Sequence, residues 1–324
     1  MSRKRSSSDA ALEALRRARE EPDSPASRER IREALGHQNW LVVSEAANLV
    51  AERSLDGCAD ALGRVWARFV ENGAKTDPGC RAKEAALTAL DRLEIFDPEP
   101  FLCAVRHRQF ERAAGGAVDT AGGVRLRALF ALFRLNHPDA PLYAGELLSD
   151  ASASVRAGVC HAIAHYGSRS SAGLLVHKLA SGDDDPSVLA ECAAALLSAA
   201  ADFAIPVLRA WLEGFDEVQQ ECAALAFGQS RQREAVDALI GWVEQAVLEA
   251  QIEVGVRALG VSRTERAREY LLTLVESGSL LRARHAVEAL AIHRYDPELC
   301  ARVREAAKKN RAARLEPLLT RLLG

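Results

Sequence analysis

The sequence predicts an all-α fold, a right-handed α-solenoid (superhelix) of about eight helical hairpins. Three observations carry that expectation: a composition rich in Ala, Leu, Arg and Glu, an apolar helical face that recurs eight times, and turn residues set between the recurrences. Of the 324 residues, 48% are hydrophobic yet only 5% are aromatic. Ala, Leu, Arg and Glu are strong helix formers, and Ala lets neighbouring helices approach closely.

Self-comparison finds the recurrence. Val124-Arg125-Leu126-Arg127-Ala128-Leu129 is echoed by Val155-Arg156-Ala157-Gly158-Val159-Cys160 and by Val188-Leu189-Ala190-Glu191-Cys192-Ala193. Weaker copies start at Gln219, Gln251 and Arg282, and upstream copies at Val42 and Ala82. From residue 124 onward the spacing is 31 to 33 residues, and before it 40 and 42. Two antiparallel helices of ten to fifteen residues with short turns need about that length. Apolar residues at i, i+4, i+7 and i+8 put one helical face in each copy, the second helix of a hairpin.

The first helices are predicted at 58–72, 99–110, 141–149, 170–180, 203–213, 234–247, 265–276 and 297–308. Asp97-Pro98, His137-Pro138-Asp139, Asp183-Asp184-Asp185-Pro186 and Asp296-Pro297 punctuate them. Asp and Pro there supply helix caps and first helical positions. Residues 1–26 read as a basic, Ser-rich tail with a short helix and linker. Residues 27–112 read as longer repeats, 113–123 as a Gly-rich loop or mild hinge, and 124–310 as short repeats. Residues 311–324 read as a C-terminal capping helix, which an open repeat stack requires.

The repeat unit resembles the HEAT repeat, in the short form of the phycobilisome-lyase HEAT-like repeat. That unit runs from an acidic turn to Val-Arg, then Ala-Ala, then Ala-Leu-Gly. Asp150 through Gly167 matches nearly in full, and Val124-Arg125 with Ala131-Leu132 matches well; the copies from 188 onward lack the Arg. The resemblance spans roughly residues 27–310 and implies a fold far more than a function. It also implies an internal ladder, in which Arg125 and Arg156 bond acidic turn residues such as Asp150.

Charge and chemistry narrow the function. A formal net charge of −3 argues against a dedicated nucleic-acid binder. No stretch approaches the roughly 18 apolar residues of a membrane span, and the basic start leads into no apolar run, so a cytoplasmic protein with no membrane partner is expected. Seven cysteines without a CxxC motif read as reduced, buried small hydrophobes. Gly115-Gly116 to Gly122-Gly123 lacks the Gly-Lys-Ser/Thr ending of a phosphate loop. His161 and His165 share a helix face at metal-pair spacing, but no HExxH accompanies them, and the chain contains none of the His-Glu dipeptides that ligate iron in the HEAT-type deoxyhypusine hydroxylases. No metal and no cofactor are expected.

The sequence therefore points to a scaffold or adaptor rather than an enzyme, gripping a protein partner on the concave face made by second helices. Arg81, Lys83, Arg127, Arg134, His161 and His165 are the candidate contacts, with Arg125, Arg156 and Asp150 as the structural ladder. A nucleic-acid binder akin to HEAT-like alkylpurine DNA glycosylases is the alternative, since Arg and Lys of repeats two to four would face phosphates. Against it, acidic residues balance the basic ones across 91–170. A lyase or chaperone-like subunit for a cofactor-bearing protein is a third reading.

Overall fold

The helical faces become twenty α-helices among the residues that the computed structural model describes, 7–20, 24–310 and 314–323. Most of the basic tail (1–6), the linker residues 21–23, and 311–313 and 324 of the C-terminal cap lie outside the described residues. The chain divides into two compact units, Met1–Ala162 and Ile163–Gly324. Each is a stack of helical hairpins, the all-α solenoid arrangement.

The first unit holds α1 (Ser7–Glu20), α2 (Pro25–Leu35), α3 (Trp40–Arg53), α4 (Ala59–Val70), α5 (Gly73–Thr76), α6 (Arg81–Arg92), α7 (Glu99–Ala104), α8 (Gly122–Arg134) and α9 (Ala140–Leu147). Helix α10 (Ala153–Tyr166) begins in it. Ser24 starts α2 through a capping box with Ser27, and Asn39 caps α3 through the Leu41 amide. Helix α6 packs on α3, α4 and α8, so the second helices α3, α6 and α8 form one layer.

In the second unit, α11 (Ala172–Ser181) precedes α12 (Pro186–Ala199), α13 (Ala201–Glu213), α14 (Glu217–Ser230), α15 (Arg233–Gln245), α16 (Glu249–Ser262), α17 (Glu265–Ser277), α18 (Leu280–Leu290), α19 (Pro297–Lys309) and α20 (Glu316–Leu323). Here the two layers are regular. Helices α12, α14, α16 and α18 stack on one another, and α13, α15, α17 and α19 do the same beside them. Asp185, Asp216, Thr264, Ser279 and Asp296 cap α12, α14, α17, α18 and α19 through backbone amides two or three residues on. All eight second helices begin one or two residues ahead of the repeat starts read from the sequence.

Ala-rich seams set the spacing between second helices. Ala223, Ala224, Ala226 and Phe227 of α14 are buried, and Gly228 completes the close approach. A Cβ at Gly228 would strike the carbonyl of Ala258 in α16, whereas one at Gly241, inside α15, meets nothing within 4 Å. The two glycines therefore predict opposite signs. Gly228→Ala should destabilise by about 1–3 kcal/mol through overpacking, and Gly241→Ala should stabilise by up to about 1 kcal/mol through helix propensity. Thermal unfolding of the two variants checks this; shifts of the same sign would refute the assignment of Gly228 to a packing role.

One stretch departs from the sequence reading. Residues 113–123, expected as a loop, instead contain most of a β-hairpin, β1 (Phe110–Ala113) paired antiparallel with β2 (Gly116–Asp119), followed by the start of α8. Helix α7 correspondingly ends at Ala104 rather than near 110. Strands of four residues, Phe110-Glu111-Arg112-Ala113 and Gly116-Ala117-Val118-Asp119, are short and do not alternate apolar with polar residues, so they give no period-two signal to read. The hairpin and the short turns at 73–80 are the insertions that lengthen the two early repeats.

Candidate functional site

Those two insertions meet in a buried polar cluster. Asp77 and Lys83 have fully buried side chains and form an ion pair at 3.0 Å. Asp77 also accepts the amides of Ala82 (2.8 Å) and Lys83 (3.1 Å), capping the first turn of α6. The Lys83 ammonium donates to the Phe69 carbonyl at 3.0 Å and to Gln109 Oε1 at 2.9 Å, and Gln109 Nε2 returns to the Asp77 carbonyl. From the hairpin, Glu111 accepts the Gly79 amide, Gln109 Nε2 and the Thr120 hydroxyl at 2.7, 2.7 and 2.8 Å.

The neighbouring repeat repeats the device with arginine. Arg125, 1% exposed, donates to the His107 carbonyl and pairs with Asp119 at 2.8 Å and Asp150 at 2.9 Å. Arg108 bridges the same two carboxylates at 3.0 and 2.9 Å. Arg156 donates to the Asp150 carbonyl at 2.9 Å. In each case a basic residue follows an Asp by six: Asp77 and Lys83, Asp119 and Arg125, Asp150 and Arg156. The Asp closes the helix N-terminus, and the basic residue of Asp77–Lys83 and Asp119–Arg125 ties a carbonyl at the end of a preceding segment.

Lys83 requires a correction. It was expected at a partner surface, and it is fully buried within this cluster. The six-residue spacing from Asp77 was the available signal, masked by the Lys standing where later repeats carry Arg. The other expected contacts lie nearer solvent. Arg81 is exposed and sits over the Trp40 ring at 5.6 Å. Arg127 lies 3.8 Å from Glu84, and Arg134 pairs with Asp91 at 2.6 Å. A phosphate at Arg134 would have to displace that carboxylate. His161 and His165 are exposed, and the His165 ring packs edge-on against Tyr166.

The cluster should make the first unit acid-sensitive. Burial raises the Asp119 carboxyl, but the Ala121 amide, Arg108, the Gln109 amide and Arg125 outweigh it and hold it below its ordinary range. Glu111 is lowered in the same way, burial being outweighed by Gly79, Gln109 and Thr120. His107 is lowered, first by burial and then by the charge of Lys83. A lowered histidine leaves the unfolded chain binding more protons below about pH 6.5, so stability falls as pH drops through that value. The two carboxylates add their loss below about pH 4. His107→Gln should flatten the slope of melting temperature against pH just below 6.5; an unchanged slope would remove His107 from the account.

Six of the seven cysteines are buried, and Cys103 is exposed. Burial pushes Cys80 and Cys222 up to about 11, which keeps both as thiols. No group of three or more metal-ligating side chains gathers among the described residues, and none of their helices is long and apolar enough to cross a membrane.

The second unit carries a different kind of feature. Phe215, Val247, Leu248 and Leu280 are 102%, 87%, 60% and 50% exposed. They occupy equivalent places, the turns leading into α14 and α16 and the first residue of α18, and Phe215 to Val247 and Leu248 to Leu280 are each 32 residues apart. Trp242 of α15 lies between two clefts. One, of about 510 Å³, is lined by charges of both signs, among them Arg209, Glu213, Arg233 and Asp237. The other, of about 270 Å³, is lined by Phe215, Leu248 and Val254, with Glu217 and Glu221 as its charged members. The sequence reading missed this edge because a single exposed apolar residue in a turn carries no period of its own.

No family model matches the sequence, and no curated protein matches it. Among solved structures, the chain is similar to the complex of CpcE and CpcF of phycocyanin lyase from Nostoc, at 17% identity over 75% of this chain and 93% of that one, with a TM-score of 0.36. Human deoxyhypusine hydroxylase in complex with glycerol is 15% identical over 88% of this chain and 90% of its own, with a TM-score of 0.28. Both are HEAT-like helical-repeat folds. A computationally designed self-assembling cyclic homo-oligomer gives 15% identity and a TM-score of 0.15 over 98% of this chain and 95% of its own. Likeness this distant carries no functional argument, and the fold rests on the stacked hairpins themselves.

Proposed function

We propose that the chain is a non-catalytic protein-interaction scaffold or adaptor, a HEAT-like solenoid that binds a protein partner along the face its second helices make. The observation that carries this reading is the repetition of exposed apolar side chains where the chain enters α14, α16 and α18. A lone exposed apolar residue needs no explanation, but its recurrence at the equivalent place in three consecutive repeats supports a role at the surface. In repeat arrays the loops on one face commonly supply the binding surface. Arg81 of α6 and His161 and His165 of α10 are separate exposed polar candidates for a partner contact, and Arg127 and Arg134 would be further ones if they exchanged carboxylate partners.

Affinity purification of the tagged chain from its native lysate, followed by gel filtration, tests the reading. A protein partner co-migrating in fixed stoichiometry is expected, and its loss on Val247→Ser with Leu280→Ser would place it on the apolar turns. A chain that migrates alone while the purified protein shows catalytic turnover would overturn the proposal.

A further inference from the structure

The smaller cleft beside Trp242 points to the chemistry of the partner. Its base is aromatic and aliphatic, with Trp242 and Val254 flanked by Phe215 and Leu248. The indole is held in place: a Cβ at Gly255 of α16 would stand 3.1 Å from two of its ring carbons, so helix and ring are already in close contact. The adjacent turn is equally fixed, since Gln220 donates to the carbonyls of Leu212 (3.2 Å) and Gly214 (2.8 Å). A volume of about 270 Å³ falls below the roughly 300–1,000 Å³ of clefts that enclose small-molecule ligands. It suits side chains of a larger partner.

Charge selects among partners. Glu217 and Glu221 are both exposed at the cleft, and Glu213, Glu244, Glu249 and Glu253 lie on the same helices or their ends. Glu221 pairs with Arg257 at 2.7 Å, whereas Glu217 makes no ion pair among the described residues. Carboxylates around an aromatic floor favour a guanidinium or ammonium, which gains from the ring face as well as from the charge. They repel phosphate, which disfavours a nucleic acid or an anionic lipid surface.

We infer that this cleft docks a protein segment in which an arginine or lysine stands beside an apolar residue, the cation seated between Trp242 and Glu217 and the apolar side chain against Phe215 and Leu248. This rests on the scaffold reading and specifies its partner. Phe215 is wholly exposed and Glu217 lies in the first turn of α14, so both can be changed without opening the core.

The test uses the full chain and fluorescein-labelled peptides of alternating leucine and arginine, or of leucine and glutamate, read by fluorescence anisotropy. The arginine peptide should bind saturably and the glutamate peptide should not. Phe215→Ser with Glu217→Arg should weaken binding about tenfold or more, while Glu305→Arg, an exposed charge reversal on α19, should leave it unchanged. Equal binding of both peptides, no binding of the arginine peptide, an unaltered affinity in the cleft variant, or an equal loss in Glu305→Arg each overturns the inference. A native partner that still co-migrates with the cleft variant would sink the cleft and leave the scaffold reading standing.

Discussion

Lys83→Met should lower the stability of the first unit by roughly 3–5 kcal/mol, the loss expected when one member of a buried ion pair is removed and its partner stays behind. Both side chains of the Lys83–Asp77 pair are fully buried, so water cannot restore what the ammonium supplied. Three acceptors lose their donor at once: Asp77, the Phe69 carbonyl and Gln109 Oε1. Met fills nearly the same volume, so the loss reports charge and hydrogen bonding more than a cavity. Urea unfolding followed by circular dichroism measures it. A loss under about 1 kcal/mol, the range of exposed pairs, would mean that the cluster contributes little beyond packing. Partner binding at the Trp242 cleft, in the other unit, should be unaffected.

Arg125→Met should cost about 2–4 kcal/mol, somewhat less, because Arg108 continues to neutralise Asp119 and Asp150. What Arg108 leaves unreplaced is the bond to the His107 carbonyl, made at 2.9 Å by a guanidinium with 1% exposure. The informative measurement is a double-mutant cycle between Arg125→Met and Asp150→Asn. Residues of one network couple by about 0.5–3 kcal/mol. Additive losses would show that Arg125 acts through the carbonyl and Asp119 alone, and would remove Asp150 from the ladder.

The repeat starts, the caps at Asp185 and Asp296, and the Ala seams were legible because each is local. A helical face declares itself within about two turns, and an N-cap within three residues. Arg125 stands in the Val-Arg of one repeat and Asp150 in the acidic turn of the next, and the two pair at 2.9 Å. Lys83 was misplaced because burial is not a property of the residue. The same Lys on an exposed turn would be an ordinary surface cation; here Asp77, Gln109 and the Phe69 carbonyl, from three separate segments, converge on it.

The hairpin at 110–119 and the Trp242 cleft share that origin. Glu111 is held by Gly79, 32 residues upstream, and Phe215 and Leu248 line a cleft to which Trp242 is brought by a third segment, α15. Sequence by itself determined the stacking of hairpins, since periodicity and capping act over a few residues and every repeat restates them. Only the tertiary structure decided which charges are buried and which apolar side chains are left outside, because both depend on what distant segments bring to the same place.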